Sequence, residues 1–573
     1  MFNLTFSLLI KNVTDDYLNN LSENNLPPMS IVIDDLVIIS NNKIDEYNLG
    51  PLNEDSDVSD PINVRYPYQR KGSKKFRNLT DLHPYQVAKL CVLYFKFRKI
   101  QWSYTDDENM NYSFAAYRFE GSKKGLYDTD KDFIESKIQD ICMDMNNSDL
   151  EKCYRILKKE APFIILNTDV DLIAVNNGIF NYKTKELLDF DPKYVFLSKS
   201  PINYNPNCSL INIKMHDDKL WNVEDWLSSL VYDDVDKNIL WQIISASLRH
   251  TVTWNKAIFL YATSGNNGKG TFCALLRNLV GKSSYAAIPI RAFSKDFTLE
   301  PLLTVSNVIA DENDTTGFLT NAENFKSAIT QDEIFINIKY QKPINFVFKG
   351  LIVQCINNIF KVADKSDSLY RRLFFVRMDK KFQGVERRYI KGDYIKRQEV
   401  LEYVLYKALM DESFFVRTEY DDDKCTDPRY MFHMPKRSYE LLQETKVSND
   451  PVRQFLEEHI NSFTWDLLPT DFIYGCYKEW FKQNVSESGR FLGKNNFIKE
   501  ITEIIDNTYF DWEYNKNGLK FKTYCDKPEP LILKYNLKEF INDSYKGSDK
   551  DILANPNFGD RRFRGFVRKN KEN

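Results

Sequence analysis

The stretch that decides the fold reads AIFLYATSGNNGKGT and occupies residues 257–271. Its first five residues are bulky and apolar, as in a buried strand, and a helix is predicted from Phe272 to Leu279, ending at Gly281. Glycines let backbone N–H groups face an anion, and a helix N-terminus adds partial positive charge. The order of strand, glycine-rich loop, lysine and helix therefore predicts a phosphate-binding loop in an α/β domain.

The loop departs from the strict pattern G-x-x-x-x-G-K-[ST] at two positions. Thr263 stands in place of the first glycine, and Gly270 stands in place of the hydroxyl that binds Mg²⁺, so that Thr271 comes one residue late. An Asn-Gly turn carrying a surface lysine remains the alternative. The residues assigned to the phosphates of ATP are Ser264, Gly265, Asn266, Asn267, Gly268, Lys269, Gly270 and Thr271.

Acidic and amide residues follow two later apolar runs. Residues 308–310 lead into Asp311 and Glu312, and residues 351–356 lead into Asn357. A carboxylate beside phosphates can hold Mg²⁺, and its neighbour can activate the attacking water. We therefore assign Asp311, together with Thr271, to Mg²⁺ and Glu312 to the water. The Asn357 amide would sense the γ-phosphate or orient the water, and an acidic turn without function is the alternative.

An arginine pair, Arg371 and Arg372, precedes the apolar run 373–376. A guanidinium supplied by a neighbouring subunit can stabilise charge that develops during phosphoryl transfer. An isolated pair of this kind is usually a salt-bridge donor. Its place after the loop, the carboxylates and the amide favours the catalytic role.

Composition excludes several other classes of protein. The 573 residues are 43% hydrophobic and 28% charged with a net charge of −3, which suits several packed cores and excludes a disordered chain or a wholly basic coat. No apolar run approaches the length of a membrane helix. The nine cysteines are scattered without a Cys-x-x-Cys pair, which argues against a zinc ribbon and suits reduced thiols in a cytoplasm.

The order and spacing of these motifs resemble a superfamily 3 AAA+ helicase of the phage, plasmid and poxvirus primase-helicase family. The family's loop usually reads GNGSNGKST, and its Asn-x-x-Pro region resembles Asn357-Asn358-Ile359-Phe360. Further resemblance lies in the arginine pair, in the Asn-Gly hairpin at 175–182 and in the segment 450–455. The Lys/Asn-rich composition is similar to replication initiators of phage-like mobile elements, such as a staphylococcal pathogenicity island.

The resemblance implies an AAA+ P-loop ATPase core with an α+β N-terminal domain, a helical collar and a C-terminal winged-helix domain. It implies ATP and Mg²⁺ as cofactors and a homo-hexameric ring on DNA in the cytoplasm of a bacterial host. The lack of a primase-type histidine predicts a separate primase, and the lack of a long apolar run predicts no membrane association. The expected segments are 1–80 of unknown role, 81–215 N-terminal domain, 216–255 collar, 256–385 ATPase, 386–445 helical connector and 446–573 winged helix with a basic tail.

Local patterns add expectations for single elements. Residues 84–100 have helical spacing, residues 163–166 predict a short buried strand, and Asn177-Gly178 predicts a hairpin. Residues 334–349 alternate on both sides of 340–343, which predicts a hairpin. The resemblance to this helicase class implies that the hairpin projects into the channel of the ring, where it would contact DNA. The expected contacts there are Lys339, Tyr340 and Lys342, unless these lysines only protect a sheet edge.

The C-terminal region carries the residues expected to bind origin DNA. A recognition helix is predicted at 494–505, an Asn-Gly wing at 514–522 and a basic tail at 561–571. Non-specific DNA binding or protein docking is supported equally by these residues. The candidates are Lys494, Asn496, Lys499, Lys516, Lys520, Arg561, Arg562 and Arg564.

The favoured function is an ATP-dependent DNA helicase and replication initiator. A bifunctional primase-helicase is less favoured, because neither His83 nor His216 lies in the Ser/Gly-x-His setting of archaeal-type primases. A non-hydrolysing origin-binding protein is the other alternative, and Gly270 is its main support.

Overall fold

A computed structural model of the chain describes residues 5–22, 25–49, 75–101, 112–252, 254–313, 318–319, 322–339, 343–362, 367–382, 387–414, 434–485, 491–506, 510–540 and 558–569. The chain divides into two compact units. The first contains 1–313, 322–357 and 376–433, and the second contains 314–321, 358–375 and 434–573. None of the helices in the described residues has the length and apolar character that a membrane span requires.

The N-terminal helices and a small sheet share one core. The helices are α1 (Phe6–Leu18), α2 (Met29–Leu49), α3 (Pro84–Tyr94), α4 (Lys131–Gln139) and α5 (Asn147–Glu160). The strands are β1 (Arg98–Gln101), β2 (Ser113–Tyr117), β3 (Tyr127–Asp128) and β4 (Phe163–Ile165), in the order β3-β2-β1-β4. Val32 and Leu36 of α2 are fully buried beside Val87 of α3. The first two helices therefore belong to this core, although the sequence set residues 1–80 apart.

Two expectations for this region are wrong. The helix predicted over 84–100 ends at Tyr94, because Lys96 adopts a left-handed backbone with φ of 51° and β1 begins two residues later. The strand at 163–166 is not buried, since β4 pairs with β1 at the sheet edge and Phe163 is 40% exposed. The Lys99 ammonium covers that ring at 4.1 Å.

A hairpin and a two-stranded ribbon connect this core to the central sheet. Their strands are β5 (Leu172–Val175), β6 (Gly178–Asn181), β7 (Glu186–Leu188), β8 (Ile213–Lys214) and β9 (Leu220–Trp221). Val175 pairs with Gly178, so Asn176 and Asn177 form the two-residue turn. The expected hairpin is confirmed, but its turn lies one residue before the predicted Asn177-Gly178, because Gly178 is already the first residue of β6.

A parallel sheet forms the centre of the first unit. The strands in this part of the chain are β10 (Ala257–Tyr261), β11 (Tyr285–Ala286), β12 (Asn307–Ala310), β13 (Phe318–Leu319), β14 (Glu333–Ile336), β15 (Ile344–Val347), β16 (Leu351–Ile356), β17 (Lys361–Val362) and β18 (Leu373–Arg377). Five of them form the central sheet, whereas β13 pairs with β17 and β14 pairs with β15 in separate two-stranded sheets. The order is β11-β12-β16-β10-β18, and every residue of β10, β12 and β16 is buried. Strands apolar on both faces require helices on both sides, which is the α/β arrangement expected.

Helices lie between these strands along the chain and at both ends of the series. They are α6 (Val223–Leu230), α7 (Asp234–Ser247), α8 (Lys269–Val280), α9 (Glu323–Thr330), α10 (Asp367–Tyr370), α11 (Arg388–Gly392) and α12 (Gln398–Met410). Strands β14 and β15 form the hairpin expected within 334–349, with Ile336 opposite Ile344. The hairpin lies along the chain between β12 and β16: α9 precedes it, and β16 of the central sheet follows it.

The second unit has a core of its own, rich in aromatic side chains such as Phe455, Trp465 and Tyr477. Its principal helices are α13 (Lys436–Ser448), α14 (Pro451–His459), α15 (Thr470–Asn484), α16 (Lys494–Asp506), α17 (Phe521–Tyr524) and α18 (Pro530–Lys534). Its three-stranded sheet contains β19 (Leu467–Pro469), β20 (Trp512–Lys520) and β21 (Arg562–Arg568), in the order β19-β21-β20.

The prediction that residues 514–522 form a hairpin wing is wrong, because these residues do not pair with each other. Strand β20 runs through Asn517-Gly518 without turning back, and an irregularity in its pairing with β21 lies between Asn515 and Leu519. The Asn515 side chain accepts hydrogen bonds from the N–H groups of Asn517 and Gly518, both at 3.0 Å, which satisfies the bulged backbone. The supposed basic tail supplies the central strand β21, with Phe566 fully buried.

A half-buried carboxylate ties α6 to α7 and α12. Glu224 accepts from Tyr403 at 3.0 Å, forms an ion pair with Lys237 at 3.3 Å and contacts the Lys407 ammonium. Burial opposes ionisation, but the hydrogen bonds, led by Lys407, hold the Glu224 pKa below its usual range.

Replacing Glu224 by alanine should lower the stability of the first unit by about 2–4 kcal/mol, because both lysines lose a half-buried partner. Thermal melting and resistance to proteolysis measure this loss. The exposed Glu399→Ala variant on α12 should stay within about 0.5 kcal/mol of the wild type. Since folding lowers the Glu224 carboxyl pKa, the wild-type advantage should be complete at pH 7, above the ordinary glutamate pKa, and should be lost as the pH falls through the lower pKa of the folded state. An advantage of the same size at pH 7 and in strong acid would contradict this account.

Candidate nucleotide site

The glycine-rich loop connects the end of β10 to the start of α8. Asn266 and Gly268 have left-handed backbones, with φ of 57° and 87°, so the chain curls at both positions before the helix begins. A Cβ on Gly268 would lie 2.4 Å from Leu230 Cδ2, so this glycine is required by both backbone and packing. The Asn267 side chain closes the loop by donating to the Ser264 carbonyl. The loop is thus shaped by its own residues and by the end of α6.

Lys269 points back toward the central sheet at the first position of α8. Its ammonium donates to Asn357 Oδ1 at 2.9 Å and to the Ala262 carbonyl at 3.3 Å, and the residue is only 6% exposed. Burial lowers the pKa of this lysine from its ordinary value. The structure therefore joins two residues that the sequence separates by 88 positions, at the edge where β10 and β16 end.

The carboxylates after β12 occupy different environments. Both Asp311 oxygens accept hydrogen bonds from the Arg277 guanidinium at 2.7 Å. Burial by itself would lower the pKa of Arg277, but these hydrogen bonds outweigh that effect and raise the pKa. Glu312 is exposed. The next residue, Asn313, donates to the Cys355 carbonyl at 3.0 Å and accepts from the Ile290 N–H at 2.9 Å. Arg277 and Asn313 thus fix the turn that presents Glu312.

This donor set does not fit a Mg²⁺ ion as it stands. Mg²⁺ requires oxygen ligands in a near-ideal octahedron. Gly270 offers no side-chain oxygen, and Asp311 is already held by a bidentate guanidinium. Thr271 is the other residue assigned to Mg²⁺ from the sequence. The assignment of Asp311 and Thr271 to Mg²⁺ stays a prediction.

A cavity of about 930 Å³ opens beside the loop. Its apolar wall includes Trp221, Trp226 and Phe382, and loop residues Asn266, Gly268 and Thr271 border it. The Trp221 ring is tilted against Tyr394 at 5.2 Å between centroids, which fixes that wall. Basic side chains of the segment around α11 complete the lining: Arg387, Arg388, Lys391 and Lys396. An apolar slot next to a phosphate loop, bordered by cations, has the size and chemistry for a nucleotide.

The remaining candidates are distributed over both units. Arg371 is exposed, whereas Arg372 is 9% exposed and donates to Ser368 Oγ at 2.6 Å within the second unit. Lys339 is exposed next to the β14–β15 hairpin. Tyr340 and Lys342 lie outside the described residues.

The C-terminal candidates lie on α16, β20 and the start of β21. Lys494 pairs with Asp471, and Lys499 lies 3.8 Å from Glu503, so both ammonium groups have acidic neighbours. Lys520 is paired in register with Arg562. Like charges placed opposite each other destabilise a sheet unless an anion screens them. The exposed members of the set are Asn496, Lys499, Lys516, Lys520, Arg561, Arg562 and Arg564.

Comparison with known proteins gives three segmental matches. Residues 92–222 match a family described as D5 N terminal like, residues 447–537 match Poxvirus D5 protein-like, and residues 260–372 match a family of unknown function, DUF5906. No curated protein matches the chain. The two D5 matches flank the phosphate loop and support a relationship to the phage and poxvirus D5-like primase-helicases.

Solved structures give only distant likenesses. An A-form apo structure of the NrS-1 C-terminal region is 13% identical with a TM-score of 0.40, covering 74% of this chain and 86% of that one. A second apo structure of that region is also 13% identical with a TM-score of 0.40, covering 72% of this chain and 96% of that one. A third is 12% identical with a TM-score of 0.40, covering 85% of this chain and 100% of that one. At this level the likeness adds nothing to the assignment.

Proposed function

We propose that this chain is an ATP-driven DNA helicase that acts in replication of a phage-like or viral-type element. The observation that carries the proposal is the Lys269–Asn357 contact of 2.9 Å, which joins the phosphate loop to the end of β16 beside a nucleotide-sized cavity. The two D5-type matches on either side of the loop support the same class. The AAA+ core, the ring and the C-terminal winged helix form part of this proposal.

The loop and the cavity would divide the nucleotide between them. Phosphates would lie over the N-terminus of α8, where the helix dipole and backbone N–H groups favour negative charge. The Lys269 ammonium would leave Asn357 for the β- and γ-phosphates, since a charged phosphate is a stronger acceptor than a neutral amide. The base would contact the apolar wall at Trp221, Trp226 and Phe382.

Asn357 and Glu312 would then act on the hydrolytic water. Asn357 is released when Lys269 turns to phosphate, so its amide can report nucleotide occupancy to β16. Glu312 is exposed at a turn that Arg277 and Asn313 hold in place, and its carboxylate is suited to take a proton from water. Arg371, exposed in the second unit, would supply charge to the site of an adjacent subunit in the ring.

The β14–β15 hairpin would convert hydrolysis into movement along DNA. It is inserted between β12, which leads to Glu312, and β16, which ends at Asn357. A movement of β16 would reach the hairpin directly, and a movement of β12 would reach it through α9. Exposed Lys339 would contact phosphates of single-stranded DNA, with Lys342 and Tyr340 as further predicted contacts.

A double variant, Lys339→Ala with Lys342→Ala, tests this coupling. It should retain basal ATP hydrolysis within about threefold of the wild type but lose strand displacement about tenfold or more, because each lost phosphate contact weakens DNA binding in the channel. A forked-duplex displacement assay and a parallel phosphate-release assay measure the two activities. The control, Lys282→Ala with Lys295→Ala, removes two exposed lysines outside the hairpin. Full unwinding by the hairpin variant would refute the assigned role.

A non-hydrolysing origin-binding protein is the second candidate. The absence of a hydroxyl at Gly270 and the Asp311–Arg277 pair favour it, because both remove oxygen ligands from the metal. The opposed Lys520 and Arg562 support DNA contact by the second unit under either function. The exposed Glu312 and its two supporting residues favour hydrolysis. The absence of nucleotide turnover together with DNA binding would establish the alternative.

A further inference from the structure

Lys391 lies directly over the position where the phosphate loop lacks its hydroxyl. The lysine belongs to α11, and its ammonium lies 3.6 Å from the place that a Cβ on Gly270 would occupy. Lys391 is exposed and lines the same cavity as Gly268 and Thr271. No acidic partner of this lysine is found among the described residues. A positive charge from a separate element therefore stands beside the altered loop position.

The Lys391 ammonium lies at nearly the distance from a Cβ at position 270 that a metal ion bound by a hydroxyl at that position would have. Mg²⁺ lies about 2 Å from its oxygen ligands, so an ion held by a hydroxyl at position 270 would lie roughly 3 Å from the Cβ carrying that hydroxyl. The Lys391 ammonium reaches nearly the same distance from that point. Since the metal's other expected ligand, Asp311, is held by Arg277, a cation contributed by the chain is the available substitute.

We infer that Lys391 binds the nucleotide phosphates and replaces part of the positive charge that a hydroxyl-bound metal ion would supply. Nucleotide binding therefore depends little on divalent cations. This rests on the proposed nucleotide site. A lysine ammonium acts as a compact point charge on phosphate, and its flexible stem allows the contact without movement of α11. Glycine at position 270 leaves room for that ammonium, because a larger side chain would point toward it.

Equilibrium binding of a fluorescent ATP analogue, with Mg²⁺ and with EDTA, tests the inference on the full chain. The wild type should bind in EDTA with an affinity within about fivefold of that in Mg²⁺. Lys391→Gln should lose about tenfold in EDTA, the effect of one close charge contact. The control Lys381→Gln removes an exposed lysine that does not line the cavity and should bind like the wild type.

Two results would overturn the inference: wild-type binding that disappears in EDTA, or equal EDTA affinities for the wild type and Lys391→Gln. Loss of wild-type binding in Mg²⁺ as well would refute the nucleotide site itself, so the two failures are distinguishable. A second variant adds a positional test. Gly270→Ser in the Lys391→Gln background should bind the analogue more tightly than Lys391→Gln alone in Mg²⁺ but equally in EDTA, because the serine supplies the missing metal ligand. Tighter binding in EDTA would also count against the inference.

Discussion

Replacement of Lys269 by alanine is expected to abolish ATP hydrolysis, with a loss of about 10²–10³-fold in turnover. The lysine is 6% exposed at the start of α8, where its ammonium faces the ends of β10 and β16. Its removal takes away the charge that would bind the phosphates and the contact that joins the loop to Asn357. No other lysine lies within hydrogen-bond distance of Asn357 in the described residues.

Phosphate release and binding of a fluorescent ATP analogue measure this effect separately. The matched control is Lys282→Ala, which removes an exposed lysine just beyond the far end of the same helix. It should hydrolyse ATP like the wild type. Full activity of Lys269→Ala would show that nucleotide is not bound at this loop, and the proposed mechanism would fail with it.

Gly268→Ala is expected to weaken nucleotide binding at least tenfold and to destabilise the loop by about 2 kcal/mol. The backbone at Gly268 has φ of 87°, a region that costs a residue with a Cβ about 1–2 kcal/mol. The added methyl would also lie 2.4 Å from Leu230 Cδ2, in a side chain that is 1% exposed. The loop and the end of α6 must therefore separate, which displaces the N–H groups intended for phosphate.

Gly265→Ala provides the matched control in the same loop. A Cβ at Gly265 meets no atom within 4 Å, and its backbone is not in the left-handed region. This variant should keep its nucleotide affinity within about threefold and its melting temperature near the wild-type value. Equal behaviour of the two alanine variants would mean that the left-handed conformation at Gly268 is not required for binding.

The central elements of the site could be predicted because they are local in sequence. A buried strand, a glycine-rich loop and a helix are encoded by residues 257–281, and the parallel sheet brings Asn357 beside the loop through pairing of β10 with β16. The hairpins at Asn177-Gly178 and at 334–349 were predictable for the same reason, since alternation and turn residues act over a few positions.

Contacts between distant residues could not be predicted in the same way. Arg277 is one polar residue on a helix, and its pairing with Asp311 depends on how α8 packs against β12. The wing failed because Asn517-Gly518 can form either a turn or a bulge, and only the arrival of β21 from residues 562–568 decides between them. Trp221, Trp226 and Lys391 carry no motif; they become site residues only when β9, α6 and α11 meet at the loop.

The most direct test of the account is the rate of ATP hydrolysis by the wild-type chain, measured with and without single-stranded DNA. We expect turnover that requires Lys269 and that rises several-fold when DNA is added, because DNA bound at the proposed channel hairpin would act on β16, which follows the hairpin and ends at Asn357. No hydrolysis under either condition, with DNA binding intact, would contradict it and would leave a protein that binds the origin without acting as a motor.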